Sequence, residues 1–93
     1  MKKIILSDRA KAELRSLDPP IIKRILNKFK TMVDEIDNMK IKSLNGNLKG
    51  YYRVRLNDDY RAIFFVEGEE VIVMSIGHRE GIVIVYKEKD IYR

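Results

Sequence analysis

Four arginines carry the residue types and spacing most suggestive of chemistry. Arg53 and Arg55 alternate with Tyr52, Val54 and Leu56. If that stretch is extended, both arginines project from one face and the apolar set from the other. Arg61 opens a second apolar stretch, Tyr60 to Val66, just after Asn57-Asp58-Asp59, a run suited to a tight turn. Arg79 follows Gly77-His78, just past a third apolar stretch, Val71 to Ile76. In an antiparallel meander the end of one strand lies beside the start of the next. The four guanidiniums are therefore predicted to gather on one exposed sheet face, with Lys49 and Lys42 at its rim. The planar fork of arginine matches phosphate oxygens, so the chemistry such a cluster suits is the holding of a phosphodiester. The competing account pairs each arginine with Asp58, Asp59, Glu69 or Glu70 as a solvated surface residue. It serves any single arginine better, but four on elements that should adjoin favour a site.

Tyr51, Tyr60 and Tyr86 are candidates for stacking on bases beside this cluster, since every base offers a π-face. The alternative for each is a half-buried sheet aromatic, and Tyr52 is expected to point into the core. His78 is the only histidine. Its side-chain type can serve as a proton shuttle, although a lone histidine is more often structural. Other chemistries find little support. There is no clustered His and carboxylate set for a metal and no glycine-rich phosphate loop. With no cysteine there is no disulfide, thiolate metal site or thiol nucleophile. No cofactor is expected.

The elements that must position these residues can be read by periodicity. The first six residues predict a short strand. Ser7 and Asp8 offer a cap and a first-turn acid for a helix over residues 8–17, with Ala10, Leu14 and Leu17 on one side. Asp18-Pro19-Pro20 ends it and starts another, with Asp18 placed to cap. Ile22, Ile25, Leu26, Phe29, Met32, Val33 and Ile36 then form an apolar stripe over about four turns, the mark of a helix packed on a sheet. Asp37 to Gly50 reads as a polar connector. Three strands with short links follow, which implies an antiparallel meander. Gly81 to Tyr86 has the composition of a further strand, and Lys87 to Arg93 that of a short helix or a frayed end. The expected fold class is α+β: two N-terminal helices packed on a curled antiparallel sheet, in a single domain over residues 1–93.

Charge narrows the partner. Nineteen Lys and Arg against fourteen Asp and Glu leave a formal +5 and a pI near 9.5. That surplus favours an anionic partner: nucleic acid, an acidic protein or a membrane surface. The apolar stretch after Met1-Lys2-Lys3 is too short for a signal peptide, and no run is long enough to span a bilayer. A soluble cytoplasmic protein with no membrane partner is expected.

Three segments together bring a family into view. Leu44-Asn45-Gly46-Asn47-Leu48-Lys49-Gly50-Tyr51-Tyr52-Arg53-Val54-Arg55 resembles the central motif of the RelE toxins. Asp59-Tyr60-Arg61-Ala62-Ile63-Phe64 is similar to their next segment, and Ser75-Ile76-Gly77-His78-Arg79 to the third. The spacing between them matches, and the order of helices and strands extends the resemblance to the RelE/ParE superfamily over nearly the whole chain. The resemblance implies a microbial-ribonuclease-like fold and the toxin of a type II toxin–antitoxin pair. It implies a metal-independent endoribonuclease that cuts mRNA in the ribosomal decoding site, by attack of the ribose 2′-hydroxyl on the adjacent phosphate. Its partners would be a RelB-like antitoxin, the ribosome and mRNA.

Carried over by position, Arg61 and Arg79 match the family's phosphate-binding arginines. Arg53 and Arg55 stand where the best-known RelE enzymes have lysines, and Tyr86 is nearest to their late tyrosine. Two departures bear on mechanism. Arginine is always protonated, so Arg53 and Arg55 can stabilise charge but make poor bases. The base would then be His78, Tyr86 or a ribosomal group, unless the reaction does without a strong base. Tyr86 also lies further past Arg79 than the family usually allows, which leaves Tyr92 as an alternative. A ParE-like inhibitor of DNA gyrase without nuclease activity, and a degenerate relative that only binds its antitoxin, are the other two readings.

Overall fold

In the computed structural model, residues 2–36, 41–44, 46 and 49–81 are described. The Ile- and Val-rich strand expected at 81–86 lies beyond these after Gly81, and so do the segment 87–93, Tyr86 and Tyr92. The chain runs β1 (Lys3–Leu6), α1 (Asp8–Arg15), α2 (Pro19–Glu35), β2 (Ile41–Ser43), β3 (Tyr52–Arg55), β4 (Tyr60–Glu67) and β5 (Glu70–His78). The strands form one sheet in the order β1-β5-β4-β3-β2. This is the α+β architecture expected from the sequence.

Two features differ from expectation. The sheet is mixed rather than wholly antiparallel, because β1 pairs parallel with β5, from Lys3 opposite Glu70 to Leu6 opposite Val73. The connector after α2 also contains a strand: β2 pairs antiparallel with β3, placing Lys42 opposite Arg53. With three exposed residues, only one of them apolar, β2 has no alternation for a sequence reading to catch.

The helices form where their caps and apolar stripes dictate. The Ser7 side chain accepts the Ala10 N–H at 3.0 Å, which caps α1 as expected. Asp18 occupies the cap position of α2, but its side chain makes no cap hydrogen bond. Its carbonyl instead accepts the Ile21 and Ile22 N–H groups at 2.9 and 3.0 Å. Ile25, Phe29, Met32 and Ile36 of the α2 stripe are buried against Val54, Ala62, Phe64, Val71, Val73 and Ile76 of the sheet. The other edge of the stripe stays open, with Leu26 43% exposed.

The alternation in β3 is as expected: Val54 and Leu56 are buried in the main core, and Arg53 and Arg55 face the other way. In β5 the alternation is broken. Ile63 lies opposite Ser75, whereas Phe64 lies opposite Val73, so β5 carries a bulge at Met74. The extra residue re-phases the strand, which lets Val73 and Ile76 both join the core on the helix side. Ile63 and Met74 are buried on the opposite face with Tyr51, Phe65, Ile72 and Leu44.

Phe64 is fully buried at the centre of the sheet. Phe64→Ala is expected to cost about 3–5 kcal/mol through lost burial and a residual cavity. Urea unfolding monitored by circular dichroism checks this, as a lower midpoint with an unchanged slope.

Candidate phosphate-binding face

The arginine face is assembled by strand register. Arg55 lies opposite Arg61 across the β3–β4 pair, and Arg61 lies opposite Gly77 across the β4–β5 pair. The Arg79 N–H then donates to the Asp59 carbonyl at 2.7 Å, which continues the same pairing by one step. Residues 53, 55, 61 and 79 thus share the face turned away from the helices. Lys42 lies beside them through its pairing with Arg53. Ile41, Lys42, Arg53, Arg55 and Arg61 line an open hollow of about 190 Å³. Lys49 is exposed in the turn before β3, where its N–H donates to the Gly46 carbonyl at 3.1 Å.

The charges interact. Burial pulls the Arg61 guanidinium below the usual arginine range, and repulsion from Arg55, Arg53 and Arg79 lowers it further, with Asp58 opposing. Arg61 nevertheless remains a cation at neutral pH. It is held by its own turn: Nη1 donates to the Asn57 carbonyl at 2.8 Å and the Tyr60 carbonyl at 3.1 Å. The turn is fixed in return by the Asn57 side chain, which accepts the Asp59 and Tyr60 N–H groups at 2.9 and 2.8 Å. Arg55 donates to the Asp58 carboxylate. This is one of the acid pairings considered from sequence, but it sits in solvent, where such a pair contributes little and is readily exchanged for another anion. Among the described residues Arg53 makes no ion pair, and it has its neighbour Lys42 alongside.

The aromatic and histidine candidates divide between the two faces. Tyr51 lies on the arginine side, edge-on to Phe65 with ring centroids 5.5 Å apart. Tyr60 and His78 do not join them. Tyr60 lies opposite His78 and packs against the helix-side core, and the two rings stand 5.9 Å apart. His78 Nδ1 accepts the Glu80 N–H at 3.3 Å. His78 thus stands with Tyr60 on the side of the sheet opposite Arg61. Among the described residues no cluster of His, Cys, Asp or Glu could hold a metal.

Sequence reading missed Glu13. From α1 its carboxylate accepts the Ile76 N–H at 2.9 Å and the Ser75 hydroxyl at 3.0 Å. A glutamate in mid-helix looks like a surface residue, and nothing local signals a partner more than sixty residues away.

Residues 4–83 match the family model described as the ParE toxin of the type II toxin–antitoxin system parDE. The chain belongs to the ParE toxin family. Solved structures share the toxin's fold. The toxin–antitoxin complex RelBE2 from Mycobacterium tuberculosis is similar with a TM-score of 0.75 at 21% identity, over 84% of this chain and 98% of that one. The YoeB–YefM complex from Staphylococcus aureus has a TM-score of 0.67 at 21% identity, over 85% and 98%. The YoeB/ParE toxin from Agrobacterium tumefaciens has 0.65 at 15% identity, over 85% and 99%. No curated protein matches the toxin by sequence. No helix among its described residues is long and apolar enough to cross a membrane.

A face of mutually repelling cations is relieved by a bound anion, and ligand binding stabilises a fold by mass action. Inorganic phosphate at ten times its dissociation constant is expected to add about 1.4 kcal/mol, which raises the melting temperature by roughly 4–8 °C per kcal/mol in a domain this small. Thermal melts in phosphate against chloride at matched ionic strength check this, and the increment should shrink in Arg53→Ala.

Proposed function

We propose that this toxin is a ribosome-dependent endoribonuclease that cuts mRNA without a metal. The observation that carries the reading is the strand register that sets Arg53, Arg55 and Arg61 around one open hollow and brings Arg79 alongside. A scissile phosphodiester held there has its negative charge matched by planar donors. The ribose 2′-oxygen attacks phosphorus as the bond to the 5′-oxygen breaks. The products are a 2′,3′-cyclic phosphate and a 5′-hydroxyl, and the proton lost by the 2′-hydroxyl ends on the leaving oxygen. The arginines stabilise the extra charge on the pentavalent phosphorus, an interaction stronger in the transition state than in the ground state. They cannot take the 2′ proton. With His78 on the other face, that role falls to Tyr86, Tyr92 or a group of the ribosome.

A RelB-like antitoxin is the proposed protein partner. Between β1 and α2 lies a cleft of about 860 Å³, with Ile4, Leu6, Ile22 and Leu26 in its walls and Lys2, Lys3, Lys23 and Lys30 around it. The cleft suits an amphipathic segment with acidic flanks. Its lining includes none of the arginines of the phosphate-binding face.

A second reading has its own support, because the matching family model is that of the ParE toxin. On that reading the cationic face meets DNA gyrase and no RNA is cut.

Mapping mRNA 5′ ends after induction separates the two. Cuts at fixed codon positions are expected with the wild-type chain and should fall by at least 100-fold in Arg61→Ala and Arg79→Ala, in line with removing donors aimed at transition-state charge. Intact mRNA with inhibited gyrase would establish the second reading. Separately, Leu26→Asp is expected to weaken antitoxin binding by at least tenfold in calorimetry while leaving cleavage by the free toxin unchanged.

A further inference from the structure

The outer edge of β5 points to a residue that acts on the arginine face from a distance. Beyond Leu6, β1 no longer covers that edge, and side chains take over from backbone. The Ser7 N–H donates to the Val73 carbonyl at 3.0 Å. The Ser7 hydroxyl donates to the Met74 carbonyl at 2.9 Å while also capping α1. Glu13 then accepts the next edge group, the Ile76 N–H, at 2.9 Å, together with the Ser75 hydroxyl. Its other oxygen receives Arg9 Nε at 3.3 Å, which steadies the carboxylate. Ser75 is only 1% exposed, so water is a poor substitute for Glu13. Helix α1 thus serves as a side-chain continuation of β1.

We propose that Glu13 is a positioning residue for Arg79. Three residues past Ile76, Arg79 is anchored on the β4 side by its N–H bond to Asp59. On the α1 side, Glu13 is what holds the strand that leads to it. Without this acceptor the bulged end of β5 is bonded along one edge only, and its last turn of backbone opens more often. A guanidinium displaced by about 1 Å from a reacting phosphate loses much of its effect on rate. The inference rests on the nuclease reading and adds to it a residue remote from the RNA.

The test compares the full-length wild-type chain with Glu13→Ala, Glu13→Asp and Glu13→Gln. Asp keeps the charge but is one methylene too short to reach the Ile76 N–H, while Gln keeps an acceptor oxygen at full length. Glu13→Asp also carries the test if Glu13→Ala does not fold. Two readouts are taken: cleavage of mRNA on programmed ribosomes across ribosome concentrations, and amide hydrogen exchange. Glu13→Ala and Glu13→Asp should cut 10- to 100-fold more slowly at saturation, with the half-saturating concentration within twofold of wild type. They should lose protection at Ile76 and Arg79 and keep it at Ile63 and Phe64. Glu13→Gln should restore most of the rate and the protection. Wild-type rates in all three variants, or a Gln variant as slow as the Asp variant, would overturn the role of Glu13 with the nuclease reading intact. A wild-type chain that cuts no RNA would overturn that reading itself, and the exchange comparison would still show whether Glu13 holds Arg79 in place.

Discussion

Arg55 sits across from Arg61, and Arg61 across from Gly77. This row exists only because β3, β4 and β5 pair in one register. Side chains alternate along a strand with a period of two, so a slip of one residue would turn Arg53, Arg55 and Arg61 toward the helices and Val54 and Ala62 toward solvent. Burying three cations in place of two apolar side chains has a prohibitive desolvation cost. Burial of Val54, Ala62 and Phe64 against α2 therefore fixes the arginine face as firmly as it fixes the core. The tight turn at Asn57 reinforces the same register, since it is bonded both by its own amide side chain and by the guanidinium of Arg61. Arg61 is consequently a structural residue and a candidate ligand at once.

The asymmetry of the layers follows. Both helices lie on one side of the sheet and supply the main core, which leaves the other side free to carry charge. That side is not wholly polar. Ile63 and Met74 form a small second core there with Tyr51 and Phe65, beside the arginines. A nucleotide with its phosphate over Arg53 would have an aromatic edge within one strand step.

Elements with strong local periodicity were legible in the sequence. The α2 stripe, the alternation of Tyr52, Val54 and Leu56 with the arginines, and the two tight turns each state their structure within a few residues. The gathering of residues 53, 55, 61 and 79 followed from those elements and the meander rule. What was not legible depends on distant partners. The parallel pairing of Lys3 with Glu70 leaves no local trace, and neither does the acceptance of Ile76 by Glu13. The bulge at Met74 interrupts the alternation of β5 without a glycine to announce it. His78 pairs with Tyr60 at the end of β5, and alternation along β4 sets that pair on the face opposite Arg61. Tyr60 follows the same logic, because it is adjacent to Arg61.

The parallel pairing of β1 with β5 also bears on how the chain is made. β1 leaves the ribosome before the other described elements and lies beside the last of them, with the remaining described elements in the connection between the two. Contacts so far apart in sequence form late, because the intervening chain must be ordered before they are rewarded. A nascent chain can build its helices and its first hairpin during synthesis, but β1 must wait for Val71 and Val73 to emerge. The cationic face therefore matures only once β5 has been made, and a product cut short after β4 would carry the arginines of β3 and β4 without the strand that brings Arg79 to them.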